Sequence, residues 1–112
     1  MAKENKLVCP ASEKKVINLC LTQDENFLVA LTSDPAVNCY DLQNGGAVAF
    51  SVKLQGDARS VRVETKDSFY VLYKRAVQWY VNGKLSKEVS LYYDGTAIEV
   101  GKRGVFVGDL VI

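Results

Sequence analysis

Short apolar runs closed by turn-forming residues govern what this chain can fold into. The runs lie at 16–21 (VINLCL), 27–32 (FLVALT), 37–42 (VNCYDL), 47–54 (AVAFSVKL) and 60–64 (SVRVE). They continue at 69–73 (FYVLY), 76–81 (AVQWYV), 85–91 (LSKEVSL), 96–100 (TAIEV) and 105–107 (VFV). Val, Ile, Phe, Tyr and Thr dominate them, as suits a pleated, half-buried surface. Between them stand Asp24-Glu25-Asn26, Ser33-Asp34-Pro35, Asn44-Gly45-Gly46, Gly56-Asp57, Asn82-Gly83 and Asp94-Gly95. Asn-Gly and Asp-Gly provide the positive φ angles of tight hairpins at small steric cost, and Asn82-Gly83 is the strongest such signal. A helical period shows only as a weak hint near 11–17, so the pattern predicts an all-β fold of antiparallel neighbours.

The runs also repeat. Leu19-Cys20-Leu21, a polar turn and Phe27 to Leu31 recur as Val61-Arg62-Val63, a turn and Phe69 to Tyr73, then as Ile98-Glu99-Val100, a turn and Val105 to Val107. The interval is about 40 residues, the period of four-stranded propeller blades. The third strands correspond too, Val37 to Asp41 against Val77 to Val81. The reading is a polar N-terminal segment, 1–15, followed by a β-blade domain, 16–112. Its units fall at roughly 16–54, 59–91 and 96–112. That is two complete blades and the start of a third, an incomplete ring or a fragment, since propellers typically close with about four to eight blades. A small sandwich or barrel of about ten strands satisfies the same periodicity.

The side-chain inventory excludes much chemistry. The chain has no histidine, which removes imidazole bases, their nucleophile pairs and His-containing metal sites. With 14 Lys and Arg against 13 Asp and Glu, no net field draws it to nucleic acid or anionic lipid. Cys9, Cys20 and Cys39 are odd in number and form no CxxC pair; this suits a reducing compartment, with Cys20 and Cys39 as small hydrophobes. The N-terminus has no apolar signal region, and no run approaches a membrane span. The expectation is a cytoplasmic protein without catalysis, cofactor, metal, nucleic-acid or membrane partner.

Carboxylates Asp24, Glu25, Asp34, Asp67, Asp94 and Asp109 sit in expected turns, where Asp bonds its own backbone, and no phosphate-cradling glycine loop occurs. Lys74-Arg75 beside Trp79-Tyr80 and Tyr92-Tyr93 has the composition of a nucleic-acid surface. The simpler reading is an inward-facing strand with two cations at its bend. Lys14-Lys15 and Lys102-Arg103 read as solvated turns.

The units resemble degraded WD repeats: Tyr40-Asp41 and Tyr80-Val81 stand where that family ends its third strand in Trp-Asp, although its Gly-His signature is absent. The stretch 53–107 further resembles the second propeller of the actin-interacting protein 1 family. The resemblance is carried by the run from Lys53 to Val63 into 69–73, the Asn82-Gly83-Lys84-Leu85 turn, and Thr96-Ala97-Ile98 followed by Val105 to Gly108. It implies a cytosolic propeller that acts with cofilin on actin filaments. The resulting expectation is a protein-interaction module whose contacts come from loops on a rigid sheet scaffold, with Asp34, Arg59, Lys74, Arg75 and Trp79 as candidate partner-binding residues. The alternative is a structural element that self-associates, or pairs with another propeller fragment, to complete a sheet.

Overall fold

A computed structural model describes residues 15–108. Four strands, β1 (Val16–Leu21), β2 (Phe27–Thr32), β3 (Ala36–Asp41) and β4 (Ala47–Lys53), form one antiparallel sheet in sequential order. The strands β5 (Ser60–Thr65), β6 (Ser68–Leu72), β7 (Ala76–Val81) and β8 (Lys84–Ser90) repeat that meander in a second sheet. A hairpin of β9 (Ala97–Gly101) and β10 (Gly104–Gly108) begins a third. The sheets share no ladder, so the barrel alternative is set aside and the arrangement is that of propeller blades.

Turn chemistry sets the strand limits. Asn82 and Gly83 take φ 52° and 78°, the paired positive angles that join two strands through a two-residue loop. Leu42 leaves its expected strand for a short 3-10 turn, Leu42–Asn44, because the Asp41 carboxylate accepts the Gln43 N–H at 3.0 Å. Gly45 then closes the turn at φ 66°. The helical hint is corrected: Val16 and Ile17 belong to β1, where their β-branched side chains suit an extended chain. Its remainder, 11–14, lies outside the described residues, as do Cys9, Lys14, the segment 1–14 and residues 109–112.

Two cores lie between blades rather than within them. Val29, Leu31, Val37 and Cys39 of the first blade meet Val61, Phe69, Val71 and Tyr80 of the second. Phe69 stacks between Phe50, with centroids 6.1 Å apart, and Tyr80 at 5.1 Å. Leu72 and Val77, on the second blade's other face, pack with Ile98, Val105 and Val107.

The innermost strands are joined by side chains in place of a ladder. Asn18 Oδ1 on β1 accepts the Val61 N–H at 3.0 Å and the Arg62 Nη1–H at 3.0 Å. Cys20 Sγ accepts the Val63 N–H at 3.4 Å, so this thiol is a connector as well as a half-buried hydrophobe. Arg62 Nε also lies 3.7 Å from Glu99 Oε1 on β9, so one guanidinium spans all three sheets.

Candidate functional site

Alternating strand direction sends the β2–β3, β4–β5, β6–β7 and β8–β9 connections to one end of the blades. Backbone bonds fasten them there: Leu54 N–H to Pro35 O at 3.1 Å, Arg59 N–H to Leu72 O at 2.7 Å, Gly95 N–H to Lys74 O at 2.8 Å and Leu91 N–H to Arg75 O at 2.8 Å. Four of the expected site residues, Asp34, Arg59, Lys74 and Arg75, therefore share this end, and all four are exposed. The bend that puts two cations between β6 and β7 is closed by the Tyr73 N–H bond to Ala76 O at 2.8 Å.

The cations organise the neighbouring loop, residues 91–96. Arg75 Nε donates to Asp94 Oδ1 at 2.8 Å, and Arg75 Nη1 donates to Tyr92 O at 3.3 Å. Lys74 Nζ lies 4.0 Å from Asp94 Oδ2, while Arg59 Nη1 donates to Gly95 O at 3.1 Å. One carboxylate shared by two cations leaves this cluster with excess positive charge. Gly95 lets the loop sit on the second core: a Cβ there would lie 2.7 Å from Leu72 Cδ1. The loop holds Tyr92 out into solvent, with its side chain 98% exposed. An amphipathic ring on a fastened loop beside arginine is the composition of a binding hot spot. The sequence offers Tyr92 only as part of an aromatic cluster; what distinguishes it is exposure, which no local pattern encodes.

Trp79 stands apart from this end. It lies within β7, stacks on Tyr70 at 6.0 Å, and buries its Nε1–H without an acceptor among the described residues. Its side chain lines a groove of about 660 Å³ between the second blade and the β9–β10 hairpin.

Ionisable groups follow their surroundings. Burial pushes the Cys39 thiol up to about 11, reinforced by Asp41 and Asp67, so it stays protonated and non-nucleophilic near neutrality. The Thr22 hydroxyl and the Asn26 N–H hold the Asp24 carboxyl below its ordinary value, the self-bonded turn that its sequence context predicts. Burial and Glu64 raise Tyr70. Among the described residues, no three His, Cys, Asp or Glu side chains converge as a metal site, and no helix is long and apolar enough to cross a membrane.

Three solved structures show what the chain is similar to. Hsv2 of Kluyveromyces lactis, with complete loop 6CD, matches with a TM-score of 0.70 and 13% identity over 86% of this chain and 30% of its own. Hsv2 of Kluyveromyces marxianus matches at 0.68 and 14%, over 86% and 31%. The Kluyveromyces lactis protein with loop 6CD replaced by a Gly-Ser linker matches at 0.67 and 13%, over 86% and 33%. This chain thus spans about a third of the length of those β-propeller proteins. No family model matches it, and no curated protein does. At this identity the likeness shows the fold: all-β, in propeller blades, without a closed ring.

Proposed function

We propose that the chain is a non-catalytic protein–protein interaction module that binds through the blade end carrying Arg59, Lys74, Arg75 and Tyr92. The observation that carries this reading is Tyr92, 98% exposed on a loop fixed by Arg75 and Arg59. Exposing a large ring costs hydrophobic stabilisation, whereas a preformed aromatic–arginine patch lowers the entropy cost of docking. Asp34 belongs to the same end; Trp79 serves packing in this reading.

The finer assignment is an actin-filament partner, acting with cofilin in filament disassembly, as the resemblance to the actin-interacting protein 1 family implies. Cytoplasmic location and the absence of catalysis, cofactor, nucleic-acid and membrane partners complete the proposal, supported by the missing histidine, the net charge of +1 and the cysteine usage.

Cosedimentation with actin filaments, with and without cofilin, tests it. The expected result is co-pelleting or faster disassembly that Tyr92→Ala reduces while leaving the melting temperature unchanged, and that Arg75→Glu, which also releases the 91–96 loop, reduces as well. No effect on either filament property removes the actin assignment. Binding that survives both substitutions removes the proposed surface.

A further inference from the structure

A groove of about 660 Å³ runs along the outer rim between the two complete blades. One side is β4, from Phe50 to Lys53; the other is two turns of the second blade, Asp67 and Asn82-Gly83. Four consecutive residues of a strand cannot line a groove over one sheet face, because alternate side chains point to opposite faces. The groove therefore follows the backbone edge of β4, the last strand of its sheet. Its walls are complete within the described residues. The blades meet through β1 and β5, and through β5 and β9, without a shared ladder. A further blade in a ring stacks beside a sheet in the same way, and adds no strand to a fourth-strand edge.

The backbone groups of this edge face the groove. The Leu54 N–H bonds Pro35 O at 3.1 Å, and Val52 pairs with Val37 two residues along. Alternation then points the N–H and C=O of Ser51 and Lys53 away from β3. Both residues are exposed. Outer strands are commonly guarded by charge, and β8 carries Lys84, Lys87 and Glu88, whereas β4 carries no charge from Ala47 to Val52. The charges of the groove stand at its two ends. Lys53 is at one; Asp67 is at the other, near enough to Cys39, the cross-strand partner of Phe50, to help raise its thiol. The Asp67 C=O accepts the Asn82 N–H at 2.8 Å, which fixes the turn, while no described side chain donates to its exposed carboxylate.

From this we propose that the groove receives an extended segment of a partner protein, added antiparallel to β4 across Ser51 and Lys53. Register sets its chemistry: an acidic residue opposite Lys53, an apolar one opposite Val52, and a basic one opposite Phe50, on the face that meets Asp67. Main-chain bonding gives affinity, and the order of the charges gives selectivity. A second copy of this chain fits worse. The register shift between Cys39 and Tyr40 makes Ala49 a bulge, which bends β4 and leaves a straight edge of about 14 Å. Pairing over that length falls far short of the roughly 1,200 Å² that a stable interface between folded domains buries. This surface is separate from the Tyr92 end, and either assignment stands without the other.

The probe is a synthetic peptide blocked at both ends, Thr-Glu-Val-Thr-Arg-Val, added to the full chain. Anisotropy of the labelled peptide and amide exchange by NMR read the result. Saturable binding with slowed exchange at Ser51 and Lys53 is expected. Methylating the backbone nitrogen of the second Thr, which lies opposite Ser51, removes a main-chain bond and should weaken binding by about fivefold or more. Exchanging Glu and Arg in the peptide should weaken it by about threefold or more. The double variant Lys53→Glu with Asp67→Lys should prefer the exchanged peptide, at an unchanged melting temperature. The two peptide comparisons on the natural chain are independent of how any variant folds. Equal binding of the exchanged or the methylated peptide, or no protection at Ser51 and Lys53, overturns the proposal. Protection there before peptide is added overturns it too: if it rises with protein concentration the edge belongs to a second copy, and if it does not, to the chain's own residues.

Discussion

Replacing Phe69 by Ala measures the contact that joins the two complete blades. Phe69 is 1% exposed and lies between Phe50 and Tyr80, with interplanar angles of 11° and 10°. Truncating a fully buried Phe to Ala costs about 3–5 kcal/mol through lost transfer free energy and the residual cavity. Each aromatic pair adds about 0.5–1.5 kcal/mol beyond area burial. The ring bridges two sheets that share no ladder, which limits how far the cavity can close without separating them, so about 4 kcal/mol or more is expected. Against a typical total of about 5–15 kcal/mol, that is a large fraction of the stability.

Urea unfolding followed by circular dichroism gives the number. For a slope near 2 kcal/mol/M the midpoint should fall by about 2 M. Phe69→Leu keeps most of the apolar burial but loses both stacks, and should cost about 1–2 kcal/mol. Val48→Ala, at a site 60% exposed, should stay within about 0.5 kcal/mol. A loss below about 1 kcal/mol for Phe69→Ala would refute the claim that stability resides between the blades. Equal losses for Ala and Leu would instead show that ring geometry outweighs burial.

Three further outcomes follow from the same geometry. Asn18→Leu leaves the Val61 N–H without its acceptor and should cost about 2–3 kcal/mol, with faster exchange at the Val61 amide by NMR. Gly95→Ala forces a methyl against Leu72 and should cost about 1–3 kcal/mol in the same urea assay. Because the folded protein keeps the Cys39 thiol protonated up to about 11 while the unfolded chain ionises near 9.0, stability is fully present below pH 9 and lost as pH rises toward 11. Cys39→Ala should flatten that part of the pH profile, by about 1–3 kcal/mol over the window, leaving the fall due to buried tyrosines.

Strand positions were legible because local chemistry fixes them: β-branched runs, an Asn-Gly hairpin, and Asp in self-bonded turns. The repeat was legible for a related reason. Leu19, Val61 and Ile98 occupy one register position in three successive inner strands, and register depends on turn length and alternation, both written locally. The candidate site was legible only in part. Lys74 and Arg75 announce a charged bend, but their grip on the 91–96 loop depends on the Asp94 carboxylate and the Tyr92 carbonyl, which the next connection brings near. Arg62 shows the same gap: in sequence it is one polar residue in an alternating strand, and in space it bonds Asn18 and approaches Glu99.

Burial diverges furthest from sequence, and the cause is positional. Leu19, Val61 and Ile98 are equivalent apolar residues, yet Leu19 is 48% exposed while Val61 and Ile98 are 0% and 3%. Val61 and Ile98 each have a blade in front of them; among the described residues Leu19 has none. A propeller blade does not bury its own faces, so the same residue type is core or surface according to which blade stands beside it. Trp79 follows the same rule from the other side. Its equivalent, Cys39, is sealed by the second blade, whereas among the described residues Trp79 meets a two-stranded hairpin. An aromatic residue in an apolar strand was expected either in the core or at a binding surface. Its position relative to the next blade leaves it half-buried.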